Sequence, residues 1–226
     1  MDAREITSQE AIDFLLPRHY SGRKPVVSKA FGWFNESELL AVCTFGKPAT
    51  PSLCYGVCGK EWSDKVYELN RLCKKEKLKE PLSQFVGWCL REIKHQGLNW
   101  IVVSYSDTAM NHHGYIYQST NFLYTGCTKQ RTDLITADGK HARHYKNGEW
   151  NDMFRKVRSA KHRYVYFAMD RRTKRDALKA FKYDVLPYPK GDNSNYILGN
   201  YMKYTIIVGK TGQPRGEWLD DLLKID

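Results

Sequence analysis

The chain has 226 residues, 42% of them hydrophobic, which is long enough to bury a core without disulfides or a structural metal. No apolar run approaches the ~18–20 residues of a membrane span, and Met1-Asp2-Ala3-Arg4-Glu5 lacks the basic and apolar regions of a signal peptide, so one domain across residues 1–226, working in the cytoplasm, is expected. The formal charge of +11, from 36 Lys+Arg against 25 Asp+Glu, points to polyanionic partners, and no amphipathic anchor accompanies it to suggest a membrane surface.

In chain order, residues 8–16 carry helical spacing, with Ser8 as N-cap and Pro17 just beyond the end. A loop follows, Arg18-His19-Tyr20-Ser21-Gly22-Arg23. Residues 26–34 and 38–45 predict two strands around an Asn35-Glu36-Ser37 turn. Residues 65–72 alternate, which puts Val66, Glu68, Asn70 and Leu72 on one face and Tyr67, Leu69 and Arg71 on the other. Pro81 and Gly97 bracket the clearest helix, with Leu82, Phe85, Val86, Cys89 and Ile93 on its apolar side. Trp100-Ile-Val-Val-Ser-Tyr105 is a nearly continuous apolar run, as in a buried parallel strand, so residues 65–105 form a β-α-β unit. A short helix near 109–120, a strand at 122–126, an inserted hairpin within 128–160 turning at Asp138-Gly139, a strand at 163–169, a basic helix at 173–182, a late strand at 204–208 and a short helix at 220–223 complete the reading. The expected fold is α/β: a mixed sheet of about six or seven strands with helices on both faces.

Six cysteines, Cys43, Cys54, Cys58, Cys73, Cys89 and Cys127, fit reduced core positions, and the Cys54–Cys58 pair has no second pair at zinc-finger spacing. The charge is concentrated: residues 155–182 hold eleven Lys/Arg and two acids, and so carry +9 of the +11. This block, with Tyr164, Tyr166 and Phe167 inside it, marks 155–190 as a nucleic-acid-binding segment, with Arg171, Arg172, Lys174 and Arg175 as its candidate phosphate contacts; the alternative is a solvated face over a buried aromatic strand.

Ligands of open α/β sheets sit at the C-terminal strand ends. Arg71, with its neighbour Asn70, leaves one such end; Ser104 and Asp107 leave the next; Ser83 stands in the first turn of the helix between them, where free N–H groups suit a phosphate or carboxylate. Asn70, Arg71, Ser83 and Ser104 are therefore candidates for donor or substrate binding. For Arg71 the alternative is an ion pair with Glu68 or another acid, and for Ser83 ordinary capping. Asp107, His112, His113, Tyr115, Tyr117, Gln118, Asn121 and Tyr124 supply more stacking and proton-transfer groups than a core needs. His112-His113 is not at the i,i+4 spacing of a helical metal chelate, so the metal ligands stay unassigned.

Five stretches, Arg18-His19-Tyr20-Ser21-Gly22-Arg23, Tyr67-Glu68-Leu69-Asn70-Arg71-Leu72, Ser104-Tyr105-Ser106-Asp107-Thr108-Ala109, Gly114-Tyr115-Ile116-Tyr117-Gln118-Ser119-Thr120-Asn121-Phe122 and Lys161-His162-Arg163-Tyr164-Val165-Tyr166, resemble in order the Mom family of phage DNA-modification proteins. The resemblance implies a fold related to the GNAT acyltransferases and an enzyme that places a carbamoylmethyl group on N6 of adenine, shielding phage DNA from restriction. It implies functional positions at His19, Tyr20, Arg71, Ser83, Asp107 and Tyr117, of which His19, Tyr20, Asp107 and Tyr117 are the catalytic candidates. Iron has been associated with the family. The sequence departs from ordinary GNAT enzymes between Leu72 and Pro81: that join has four lysines and no glycine to bring backbone amides close to the pyrophosphate of coenzyme A.

The product constrains the donor. Acetyl transfer lacks the amide nitrogen, whereas a glycyl group on N6 is an isomer of the carbamoylmethyl product and reaches it by rearrangement. Glycyl-tRNA is thus the expected donor and acetyl-coenzyme A the alternative, with double-stranded DNA the partner. An ordinary GNAT N-acetyltransferase and a non-catalytic DNA-binding protein are the competing functions.

Overall fold

The computed structural model describes residues 2–19, 23–135, 154–191 and 206–207. The candidate Tyr20, the Asp138-Gly139 turn and the expected helix at 220–223 lie outside the described residues.

The centre is a seven-stranded sheet built from β1 (Asp2–Ile6), β2 (Lys29–Asn35), β3 (Glu38–Gly46), β4 (Val66–Lys74), β5 (Trp100–Asp107), β6 (Leu123–Cys127) and β9 (Lys161–Ala168), in the order β1-β2-β3-β4-β5-β9-β6. Every neighbouring pair is antiparallel except β4–β5. β7 (Arg131–Ile135), β8 (Phe154–Arg158) and β10 (Ile206–Ile207) form a separate three-stranded sheet, in which β8 pairs antiparallel with both β7 and β10.

Helices cover both faces of the large sheet. α3 (Leu82–His95) and α4 (Tyr115–Ser119) lie over one face: Phe85, Val86, Cys89 and Ile93 of α3 pack with Phe31, Cys43, Phe45, Leu69, Val102 and Tyr164. α1 (Ser8–Leu15), α2 (Pro51–Cys58) and α5 (Arg171–Lys179) cover the other. Ala11, Phe14 and Leu15 of α1 meet Ala30 and Val42, and Val57 of α2 and Ala177 of α5 meet Ile101, Val103 and Val165. Alternate residues of β5 feed the two cores, as a strand buried on both sides requires.

Three local readings are corrected. The N-cap of α1 is Thr7, which forms a reciprocal capping box with Glu10, so Ser8 is the first helical residue. The basic helix starts at Arg171, because the Asp170 carboxylate accepts from the amides of Arg172 (2.8 Å) and Thr173 (3.0 Å). The alternation through 65–72 breaks at a bulge: Leu69 faces Phe45 and Arg71 faces Thr44, leaving Asn70 as the extra residue. Leu72 therefore shares a face with Tyr67 and Leu69, and Asn70 and Arg71 both belong to the α1 side.

The parallel ladder joins only Val66–Glu68 to Ile101–Val103, although both strands run on, to Lys74 and Asp107. β4 and β5 consequently splay from Glu68 onward.

Candidate active site

The sequence candidates among the described residues divide between the two faces of the sheet. On the α1 face, His19 follows directly on α1, its amide bonded to Leu15 O at 2.8 Å. Burial first, and the Arg71 guanidinium second, depress the imidazole from 6.5 to about 4, so His19 is a neutral base beside a cation. Arg71 reaches this place because of the bulge; its Nη1 donates to Asn70 O at 2.6 Å. The Asn70 side chain is consumed by structure: its Oδ1 accepts from Thr44 Oγ1 (2.7 Å) and its Nδ2 donates to Val26 O (2.8 Å). Asn70 thus fastens the bulge to β3 and to the segment before β2, and it presents Arg71 without binding a ligand itself.

Glu68, the last β4 residue in the ladder, faces the same side and lies within electrostatic reach of Tyr105. Burial, reinforced by the Glu68 charge, pushes the Tyr105 phenol well up. A base, a cation, a carboxylate and a phenol therefore share one side of the opening. Strict alternation puts Glu68 and Arg71 on opposite faces; the bulge at Asn70 brings them to the same one.

Asp107 ends β5 on this face and is 8% exposed. Its carboxylate accepts from Lys161 Nζ, from Ser159 Oγ and from the Ala109 amide at 3.1 Å, capping the 3-10 turn Thr108–Met110. Burial pushes the carboxyl up, but the bonds from Lys161 and Ser159, the Lys161 charge and the Ala109 amide outweigh it and hold the group below its ordinary value. In this arrangement Asp107 anchors the loop leading to α4.

The opposite face carries the remaining candidates. Ser104 is fully buried and donates to Leu69 O at 3.0 Å, a strut across the apex where β4 and β5 part. It sets the width of the opening and has no surface to offer a ligand. Ser83 lies in the first turn of α3, whose N-cap, Pro81, makes no side-chain capping bond; the helix end is available to an anion. The join before it is not an open phosphate loop. Lys74 Nζ donates to Leu78 O (2.8 Å), Leu78 is buried, and Lys75 and Lys77 pair with Glu38. Tyr117 of α4 packs between Phe122 and Tyr164, with ring centroids 5.3 Å from each. The turn into α4 demands glycine: Gly114 has φ +75°, and a Cβ there would lie 2.4 Å from the Tyr164 ring.

The basic helix packs over Ile101, Val103 and Val165, on the α1 and α2 side of the sheet. Thr173, Ala177 and Ala180 form its inward stripe, and Arg171, Arg172, Lys174 and Arg175 are exposed and make no ion pair among the described residues. Two other members of the basic segment are structural: Lys161 pairs with Asp107, and Arg163 bonds Thr125 while lying 3.5 Å over the Tyr183 ring. Among the described residues no group of three or more His, Cys, Asp or Glu could hold a metal, and no step is assigned to iron. Among the described residues no helix is long and apolar enough to cross a membrane.

No curated protein matches. Solved structures similar to the chain include an N-acetyltransferase from Staphylococcus aureus Mu50 (13% identity, 74% of this chain and 98% of that one, TM-score 0.44). They also include a ribosomal-protein-alanine N-acetyltransferase from Brucella melitensis (10%, 74% and 99%, 0.44) and a GNAT family acetyltransferase from Elizabethkingia anophelis with acetyl-CoA bound (12%, 74% and 97%, 0.42). A family model matches residues 1–190, from β1 through the segment after α5, and by that match the chain belongs to the Mom protein family.

Proposed function

We propose that this protein modifies DNA, transferring a glycyl group to N6 of adenine and allowing it to rearrange to a carbamoylmethyl group that protects the DNA from restriction. The observation that carries the reading is the placement of a neutral, half-buried His19 beside Arg71 at the mouth of the β4/β5 splay, in a chain that belongs to the Mom family.

Adenine N6 is a weak nucleophile because its lone pair is delocalised into the ring, so a base must take its proton as it attacks. His19 is unprotonated at neutral pH and suits that task; Glu68, on the same face, is the second candidate. The Arg71 cation beside them stabilises the oxyanion that develops on the acyl carbon. The donor enters from the α3 face, where the free helix end near Ser83 receives its phosphates and the Tyr117 hydroxyl protonates the leaving atom. Tyr20, adjacent to His19, supplies a ring for stacking on the extruded base. Asp107 acts at one remove, by fixing the loop that carries α4.

The glycine-free join between β4 and α3, tied down by Lys74, Lys75 and Lys77, favours an aminoacyl ester over coenzyme A as donor. The α5 helix supplies the polyanion contact. Arg171 and Arg172 occupy its first turn, where the helix dipole is already positive and only the Asp170 cap offsets it, so a phosphate there relieves repulsion. The test is mass spectrometry of nucleosides from DNA of cells expressing the protein. A deoxyadenosine heavier by one carbamoylmethyl group, absent with His19→Ala, supports the reading. Unmodified DNA alongside an acetylated protein or small amine overturns it in favour of an ordinary N-acetyltransferase.

A further inference from the structure

The edge of the sheet farthest from α1 carries a second polar cluster. On β6 and β9, Tyr124 pairs with Tyr164 and Cys127 with His162, so three steps along β6 match two along β9. Residues three apart in a regular strand point to opposite sides. The extra residue, with Gly126 at φ +86°, turns Cys127 onto the side already occupied by Tyr124, and glycine makes that turn without strain. As a result Cys127 Sγ lies 3.4 Å from His162 Nδ1, and the Tyr124 hydroxyl lies 2.9 Å from the same nitrogen. The His113 ring stacks against His162 with centroids 5.8 Å apart. Ser106 is the cross-strand partner of His162 on β5; it is only 6% exposed, and its Oγ has no hydrogen-bond partner among the described residues. Cys127 is the exposed cysteine; Cys43, Cys54, Cys58 and Cys89 are buried and Cys73 is half-buried.

A thiol reacts as its thiolate, so a protonated cysteine needs a base at the moment of attack. Burial, and then His113, hold His162 below the ordinary imidazole range, which leaves it free to accept a proton at neutral pH. Burial raises the Cys127 thiol, which therefore keeps its proton until an electrophile arrives. The cluster lies on the α3/α4 face, the side assigned to the donor.

We infer that Cys127 is a nucleophile, with His162 as its base and Tyr124 as the hydroxyl that orients the pair, and that it carries the glycyl group as a thioester before adenine receives it. This rests on the glycyl-transfer reading above. The substrate class is an activated glycine carboxyl, either an oxygen ester on ribose or a thioester. Cys127 Sγ bonds to the glycyl carbonyl carbon while His162 Nδ1 takes the thiol proton. The bond from that carbon to the leaving oxygen or sulfur breaks, and the leaving atom takes the proton from His162. Adenine N6 then attacks the thioester: the carbon–nitrogen bond forms, the carbon–sulfur bond breaks, His19 takes the N6 proton as in the reading above, and the departing thiolate is reprotonated by solvent. Nothing is oxidised or reduced. A thioester on the protein also replaces the thioester of coenzyme A in a fold whose β4–α3 join lacks the glycines for that cofactor.

The test incubates the full-length protein, without DNA, with the glycyl thioester of N-acetylcysteamine and, separately, with the glycyl ribose ester of adenosine monophosphate, and reads intact mass and modified peptides. The expected result is a hydroxylamine-labile glycyl adduct on Cys127, absent in Cys127→Ser and slower by roughly tenfold or more in His162→Gln. The two probes separate a ribose-ester source from a thioester source. Iodoacetamide alkylation of Cys127 should slow likewise in His162→Gln and, by a smaller factor, in Tyr124→Phe, which keeps the ring and its packing. Equal labelling of Cys73 and Cys127, or unchanged rates in both variants, overturns the dyad. Unchanged DNA modification by Cys127→Ser overturns the relay and leaves the DNA-modification reading standing. A Cys127 adduct in a protein that never modifies DNA does the reverse.

Discussion

His19 gives the sharpest test of the site's electrostatics. Its imidazole falls from 6.5 to about 4 in the folded protein, through burial and then through Arg71. The folded state therefore binds fewer protons than the unfolded chain between those two values, so stability falls as the pH is lowered through this window and levels off below pH 4. At 1.36 kcal/mol per pH unit the full difference is about 3 kcal/mol, an upper value because the ring keeps some solvent contact. Urea unfolding at pH 7, 5.5 and 4 should show this loss in the wild type. His19→Gln, which cannot take the proton, should lose less by about that amount, and NMR titration of the ring should give a midpoint near 4. The same property keeps His19 available as a base, so DNA modification should show no acid limb from this residue above pH 5. A His19 midpoint near 6.5, or parallel stability–pH curves for the two proteins, would refute the burial of His19 against Arg71 and its role as a neutral base.

Four further outcomes follow from named contacts. Asp107→Asn leaves Lys161 without its counter-ion and should cost about 2 kcal/mol, a fall in Tm of roughly 4–8 °C, measurable by calorimetry; an unchanged Tm would mean that the pair contributes nothing. Ser104→Ala removes the strut to Leu69 O and should destabilise by about 1 kcal/mol in urea titration, with Ser104→Thr less well tolerated because the site is fully buried. Gly114→Ala combines a left-handed backbone with collision against Tyr164 and should cost more than about 2 kcal/mol; a variant as stable as wild type would show that the α4 turn is placed wrongly. Replacing Arg171, Arg172, Lys174 and Arg175 with Gln should flatten the salt dependence of duplex binding by up to about four logarithmic units, and an unchanged slope with both DNA and tRNA would reduce the helix to a solvated face.

The parts of the fold that were legible are those whose pattern is local. The apolar stripe of α3 and the unbroken run of β5 announce a helix and a doubly buried strand, and together they place the splay. β1 and α2 were missed: Asp2–Ile6 has a mostly exposed edge-strand pattern, and α2 is an eight-residue helix begun by Pro51 inside what reads as a loop. The two bulges were invisible because alternation is judged along one strand, whereas a bulge is a mismatch between two. That limit matters for function. The first bulge moves Arg71 to His19 and turns Asn70 into a fastener; the second brings Cys127 to His162, a pair 35 residues apart in the chain. Ser104 and Asp107 were rightly located at the end of β5, yet what each touches depends on Leu69 and Lys161, which only the assembled sheet supplies.

The central claim concerns the origin of the group placed on adenine. In the proposed rearrangement the glycyl amine attacks the ring carbon and expels the amide nitrogen, so the glycine nitrogen becomes the ring-bound N6 and the original adenine nitrogen becomes the terminal amide. Cells expressing the protein should be supplied with nitrogen-15 glycine, and the modified deoxyadenosine fragmented by tandem mass spectrometry. Relative to unmodified deoxyadenosine from the same cells, the account predicts one additional label, which stays on the purine when the terminal amide is lost as ammonia. Label that leaves with the ammonia, or a modified nucleoside with no label in cells whose glycine pool is labelled, would contradict glycyl transfer followed by rearrangement.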